Sequence, residues 1–556
     1  MKIKRLALLM TVISFCLNLC FSPAAVNAAF DVPRVNEQLN TTVIPNHVAL
    51  SWTDDPKTTQ TITWSTSTIV NKGLVQYREI KQEDKYTKNF NAGVAEKFVT
   101  AVERNDAPGE MNIFSATLKG LKVGKTYTYR VGDGQNWSEY STFTTENPAL
   151  DSFKMLLFAD SQNDKADYQV WHDTLFSAYG ANKDAKFFVT MGDQSDQGQN
   201  FYYFNNWFDA ATGVINKIPD MPLMGNHECR DGHAVGKDSV YGDPTYYLKL
   251  FKLPNNGPEG YKGKAYSYDY GNAHFTVLDS QIFEQYKTEE TREKGIQAQI
   301  AWLDKDLSTT DKAWKFVLYH RPQYYLKTIR TSTYMKAFEP TFDKYHVDMV
   351  LHGHDHGMAR TYPIKNGEYM SKPSEGTVYF VTGRTNLNTK SDISPKVWNA
   401  FAFDPQDLPV YQTAEISKTK LIIKTFEQNG RLVDNFVIDK ANPDNSTITV
   451  PSGKLDEARL VVFGNAITWG AKPVKDKNGT WYVDLSMIAS VMDAKYDKGK
   501  NTLTYKKPKQ TVTLTDDMFK DGVRKMISLD GLRQLGFECI HQEKTNLILV
   551  EKISNS

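Results

Sequence analysis

The sequence predicts a chain of three folded parts: an all-β sandwich, an α/β region, and a small α+β repeat domain. Three observations carry that reading. Short alternating apolar runs separated by Gly, Asn and Asp clusters fill about Ile44 to Thr145. From there apolar strands alternate with helical stretches. Near the carboxyl end, Val483 to Tyr505 and Ile527 to Leu549 share one layout of strand, helix, turn and returning strand. At 556 residues the chain is too long for a single core, which agrees with several domains.

The first segment reads as an address. Lys2, Lys4 and Arg5 precede an apolar run from Leu6 to Phe21, and small residues follow from Ala24 to Ala29. This pattern predicts a signal peptide over residues 1–28 and a secreted protein, extracellular or associated with the cell surface. The run is short for a bilayer and is broken by Asn18, so no transmembrane anchor is expected. Cleavage removes Cys16 and Cys20 and leaves Cys229 and Cys539, read as two buried thiols rather than a bridge.

The sandwich is placed at residues 40–146, with Thr61 to Trp64 and Thr126 to Val131 as strands, and Glu146 to Ala149 as a linker. Residues 150–437 form the α/β domain. It includes an amphipathic helix from Asp167 to Tyr179 with Tyr168, Trp171, Leu175 and Phe176 on one face. Residues 448–556 hold the repeats, in which Leu485 matches Leu529, Ile488 matches Leu532, Val491 matches Leu535 and Leu503 matches Leu547. A net charge of +1 excludes a broad basic field, so no nucleic-acid partner is expected and any phosphate must be recognised locally.

Five apolar runs in the α/β part each end in residues able to bind a metal. Met155 to Ala159 leads to Asp160, Phe187 to Met191 to Gly192-Asp193, and Met221 to Met224 to Gly225-Asn226-His227-Glu228. Phe316 to Tyr319 leads to His320, and Val347 to Leu351 to His352-Gly353-His354-Asp355-His356. Strand carboxyl ends are where open α/β sheets build sites. Taken singly, such an Asp usually caps a turn and such a His is usually structural, whereas His354 and His356 two apart can share one ion.

In this order the motifs resemble those of the calcineurin-like metallophosphoesterases, and among them the purple acid phosphatase group. The strings QIAWLDKDL (Gln299 to Leu307), AYSYDYGNAHFTVLDS (Ala265 to Ser280) and HRPQYY (His320 to Tyr325) are similar to that group as well. The resemblance covers about Ile44 to Val437. It implies a fibronectin-III-like sandwich followed by a metallophosphoesterase sandwich of two mixed sheets flanked by helices. It further implies two metal ions bridged by Asp193, one held also by Asp160 and His356, the other by Asn226, His320 and His354. His227 would face substrate as the acid for the leaving oxygen, beside Asn226.

Two departures matter. Asp196 stands where purple acid phosphatases carry an iron-binding Tyr, and Gln162 stands where other members carry a His. Gln162 either completes the first metal position through its carbonyl oxygen or orients water or phosphate. Asp196 is either an extra ligand or, as favoured, an exposed loop carboxylate. Two carboxylates against two ions favour divalent Mn, Fe or Zn and no purple colour. The implied reaction is hydrolysis of a small phosphate monoester by in-line attack of a metal-bridging hydroxide. Phosphodiesterase or nucleotidase action at the same site and a surface binding protein without turnover are the alternatives.

Arg360 and Arg321 are candidate phosphate contacts, with packing roles as the plainer alternative. His172, His274 and His346 have no evident partners and read as structural, His352 as support behind the ligands, and His233 as a loop residue that could touch substrate. The repeats resemble the N-terminal domain of copper amine oxidases and have no metal cluster of their own. Cell-surface attachment, self-association or a spacer role are the expectations for that part.

Overall fold

The computed structural model describes residues 41–552 except 82–89, 104–107, 232–239, 287, 328–333, 371, 388–392, 394, 397, 406–407, 444–447, 450–457, 463–464, 468–470, 492–493, 507–508, 521–522 and 544–545. The expected signal peptide and His233 lie outside these residues.

The first part is a sandwich of two four-stranded antiparallel sheets. One has the order Asn46–Ser51, Gln60–Thr66, Pro108–Leu118, Glu96–Glu103; the other Asn91–Val94, Leu74–Glu79, Thr126–Gly132, Ser141–Thr144. The alternation in TYTYRVG sends Tyr127, Tyr129 and Val131 inward, where they meet Ile62, Trp64 and Phe114. The sandwich is sewn to the next part by backbone bonds between Leu50 and both Ile215 and Asp220, and by Tyr129 Oη donating to the Asn216 carbonyl at 2.8 Å.

Two mixed sheets make the second part. The six-stranded sheet runs Phe187–Thr190, Ser152–Phe158, Val410–Ser417, Lys420–Glu427, Leu432–Asp439, Ile448–Thr449, and its first pair is parallel. The seven-stranded sheet runs Tyr266–Tyr270, Ala273–Val277, Trp314–Leu318, Met349–His352, Val378–Thr382, Met358–Thr361, Asn399–Phe403, parallel through its middle. These central strands are apolar on both sides, as strands covered on both faces must be. The strand Ile448–Thr449 extends the six-stranded sheet beyond Val437.

Helix Gln169–Ala181 buries Trp171, Thr174, Leu175 and Ala178, and Trp171 stacks on Trp207 of helix Phe201–Ala211 at 5.4 Å. Phe176 is turned outward at 36% exposure and stacks on His172, contrary to the predicted face. The cause is the helix start: the register is set by Trp171 and Leu175, which leaves Phe176 one step round the helix. Helix Glu289–Thr309 begins at a Thr288 capping box with Glu289 and Glu290 in its first turn.

The last part repeats strand, helix and hairpin. Trp481–Asp484, Leu485–Val491, Ala494–Asp497 and Thr502–Lys506 form one unit; Val523–Ser528, Leu529–Gln534, Phe537–Gln542 and Leu547–Lys552 form the other. Leu485, Leu529, Ile488, Leu532 and Leu503 share one core, as their matched positions predict. Cys229 and Cys539 are buried thiols. Among the described residues no helix is long and apolar enough to cross a membrane.

Candidate metal centre

Four of the five predicted runs end at true strand termini. Residues 221–224 instead join through single parallel bridges, Phe188 to Asp220 and Met191 to Leu223. The chain must reverse sharply beyond each end, and Asp160, Asp193, His354 and His356 adopt φ of 53°, 55°, 75° and 60°. Such left-handed backbone costs a non-glycine residue on the order of 1 kcal/mol. It turns side chains from separate strands toward one point.

Around that point His320 Nδ1 donates to the Met191 carbonyl at 2.7 Å, which leaves the Nε2 lone pair pointing inward. Nε2 lies 3.1 Å from Asp193 Oδ2 and 3.1 Å from His354 Nδ1, and one atom from each of Asp193, His320 and His354 falls within 4.8 Å of the others. On the other side of Asp193, His356 Nε2 is 3.6 Å from Asp160 Oδ1. The Gln162 amide, turned so that its NH2 donates to the carbonyls of Asp160 and Asp193 at 3.2 and 3.1 Å, aims its own carbonyl oxygen at Asp193 and His356. Asn226 Oδ1 is buried without a hydrogen-bond partner among the described residues.

Glycines permit this closeness. A Cβ on Gly192, whose φ is +87°, would stand 2.6 Å from His320 Nδ1, and one on Gly225 would overlap the Asp193 carboxylate. Burial pushes the Asp160 carboxyl up, with the charge of Asp193 adding to it although His320 opposes both. Burial works the same way on Asp193, but the neighbouring His320 and His227 outweigh it and hold its carboxyl low. Burial keeps His356 neutral. Two buried carboxylates, three imidazoles and two amide oxygens are a donor set for borderline divalent cations, so the residues fit the ions that the motifs imply.

Glu228, given no role from the sequence, and Asp196 complete the centre. Glu228 Oε2 accepts from the backbone N–H of Asp193 at 2.9 Å and of Gly225 at 2.6 Å, while Oε1 accepts from Gln194 and Ser195 at 2.8 and 3.1 Å. One carboxylate thus ties the two ligand loops together. Asp196 is neither a ligand nor an exposed loop carboxylate: it is largely buried, with Oδ1 3.2 Å from His227 Nδ1 and 3.7 Å from Arg230 Nη1. Burial pulls the His227 imidazolium down, but Asp193 and the Asp196 hydrogen bond outweigh it and raise its pKa.

Residues 45–145 match the purple acid phosphatase N-terminal domain, and residues 153–358 match the calcineurin-like phosphoesterases. The chain is a metal-dependent phosphoesterase. The acid phosphatase type 7 of Mus musculus is 25% identical over 453 residues, covering 76% of this chain and 94% of the relative. The probable inactive purple acid phosphatase 27 of Arabidopsis thaliana is 27% identical over 372 residues, covering 59% of this chain and 57% of the relative. The solved purple acid phosphatase PPD1 from yellow lupin seeds shares the fold, with a TM-score of 0.56 at 19% identity over 71% of this chain and 74% of that one.

Some expectations for the phosphoesterase need correction. Arg360 cannot bind substrate: its guanidinium is fully buried and paired with Asp434 through Nε at 2.8 Å and Nη2 at 3.0 Å, over the face of Phe436. Its strand points it into the space between the two sheets. His274 has partners after all, Asp269 at 2.7 Å and Asp306 at 2.9 Å, and its role is structural. His352 donates to the Tyr319 carbonyl and packs against Tyr319 and Tyr379, bracing a strand.

Proposed function

We propose that the chain is a secreted phosphomonoesterase working with two divalent ions, Mn, Fe or Zn. Asp160, Gln162, His356 and Asp193 would hold one, and Asp193, Asn226, His320 and His354 the other. The observation that carries this reading is the convergence of Asp193 Oδ2, His320 Nε2 and His354 Nδ1 on one small volume, with Asp160, Gln162 and His356 on the far side of the same carboxylate. Bound there, the ions would supply Lewis acidity that acidifies water and offsets the charge of the phosphate.

The side chains do the rest. His227 Nδ1 lies against Asp196, which favours the imidazolium, and the ring would deliver its proton to the departing alcohol oxygen. Asp196 and Arg230 fix the ring's orientation. A Gln at 162 and an Asp at 196 leave no phenolate for ferric iron, so the protein is expected to be colourless. Residues 40–146 would be a fibronectin-III-like module, residues 150–437 the catalytic domain, and residues 448–556 a copper amine oxidase N-terminal-like module for surface attachment or self-association.

Metal quantitation and rates on 4-nitrophenyl phosphate and bis(4-nitrophenyl) phosphate test the reading. Two ions per chain and faster monoester cleavage are expected, with Asn226→Ala slowing it by about a hundredfold. Faster diester cleavage would make the chain a phosphodiesterase. One ion or none without turnover would make it a binding protein, and an undiminished Asn226→Ala rate would remove the second ligand set.

A further inference from the structure

Arg321 follows His320 directly, and three contacts among those it makes fix its position. Its backbone N–H donates to Ser280 Oγ at 3.0 Å, its Nε to Gln281 Oε1 at 3.2 Å, and its Nη1 lies 2.9 Å from His354 Nε2. Gln281 is itself fully buried, donating to Ser280 Oγ at 2.9 Å and to the Met224 carbonyl at 3.4 Å, just ahead of the Gly225–Glu228 turn. The partly exposed guanidinium is therefore braced at the rim of the His320–His354 set.

A guanidinium offers donors only. Its bond to His354 needs a lone pair on Nε2, which in a neutral imidazole puts the proton on Nδ1. Nδ1 of His354 in turn lies 3.1 Å from His320 Nε2, which is also 3.1 Å from Asp193 Oδ2, and His320 Nδ1 donates to the Met191 carbonyl. A cation taken up through His354 Nδ1 needs the lone pair at that atom. The proton then belongs on Nε2, where N–H would face N–H. Cation uptake at His354 and the Arg321–His354 bond exclude one another.

We propose that Arg321 is a phosphate-binding arm whose release is coupled to cation uptake at His354. A cation entering among Asp193, His320 and His354 displaces the guanidinium. Still anchored through Ser280 and Gln281, the arm turns its paired N–H groups to the phosphate oxygens of the substrate, a geometry that the planar fork matches and an ammonium does not. This rests on the dinuclear reading above.

Mn2+ and inorganic phosphate are the probes. Chelator-stripped wild type, Arg321→Ala and Arg321→Lys are titrated calorimetrically with Mn2+, and each loaded protein is then titrated with phosphate. Arg321→Ala is expected to bind Mn2+ about threefold to tenfold more tightly and phosphate about tenfold more weakly, and Arg321→Lys to recover part of the phosphate binding. Unchanged or weaker Mn2+ binding by Arg321→Ala overturns the coupling, and phosphate affinity within about twofold of wild type overturns the arm. Wild type that takes up no Mn2+ overturns the dinuclear reading and the arm with it.

Discussion

Glu228 is fully buried and accepts four backbone N–H bonds, so its loss strands those donors. Glu228→Gln keeps the shape but turns an NH2 toward two of those donors. It is expected to cost roughly 3–5 kcal/mol and to loosen metal retention, read by chemical denaturation and by metal content after dialysis. A stability unchanged from wild type would mean the loops hold each other without the carboxylate. At this scale the sequence was legible where a side chain is the chemistry. Asp160, Asp193, His320, His354 and His356 all converge as their strand-end positions predict. It was not legible where the partner is backbone, as for Glu228, nor where strand alternation decides direction. Arg360 lies close to the histidine pair along the chain yet faces Asp434.

Among the elements, the hairpin Tyr266–Tyr270 and Ala273–Val277 is clamped to helix Glu289–Thr309 through His274, which sits between Asp269 and Asp306. Burial opposes its charge, but the two carboxylates win and its pKa is pushed up to about 9. The folded value exceeds the unfolded one, so the stability this contributes is complete below about pH 6.5 and is lost as pH climbs through about 9. Because Asp269 is half exposed, the contribution is roughly 1–3 kcal/mol. Urea midpoints at the two ends of that range should differ less for His274→Gln than for wild type; equal differences would show that the clamp carries no charge. Periodicity recovered strands, helices and the repeated carboxyl-terminal unit. The ligand loop after Met221 to Met224 follows no strand, because its backbone is satisfied by single bridges and by Glu228 rather than by a ladder.

Across the whole molecule, the carboxyl-terminal repeats lean on the catalytic part. Lys396 is 1% exposed and lies 3.6 Å from Glu551, Gln542 donates to the carbonyls of Lys396 and Asn399, and Trp398 packs on Val461 and Leu549. Trp398 also donates to the Tyr325 carbonyl at 3.2 Å and meets Tyr324 and Tyr325, five residues or fewer beyond His320. Lys396→Ala removes the cation that faces the buried Glu551 carboxylate, at a cost of about 3 kcal/mol. Calorimetry is expected to show the repeat unit melting ahead of the rest; one unsplit transition at the wild-type temperature would show that the contact contributes nothing. No pattern in the sequence announces this junction, since a lysine and a tryptophan in an irregular loop look like surface until the partner is in place.

The left-handed backbone at Asp160, Asp193, His354 and His356 makes the active centre a record of use. Glycine alone would relax the backbone at these four positions, and at Asp160 and Asp193 it would give up the bonds their carboxylates accept from the His354 and His227 N–H groups. A lineage freed from selection for catalysis could therefore relax to glycine at the two histidines, and a homologue that has drifted so can be recognised as idle from its sequence.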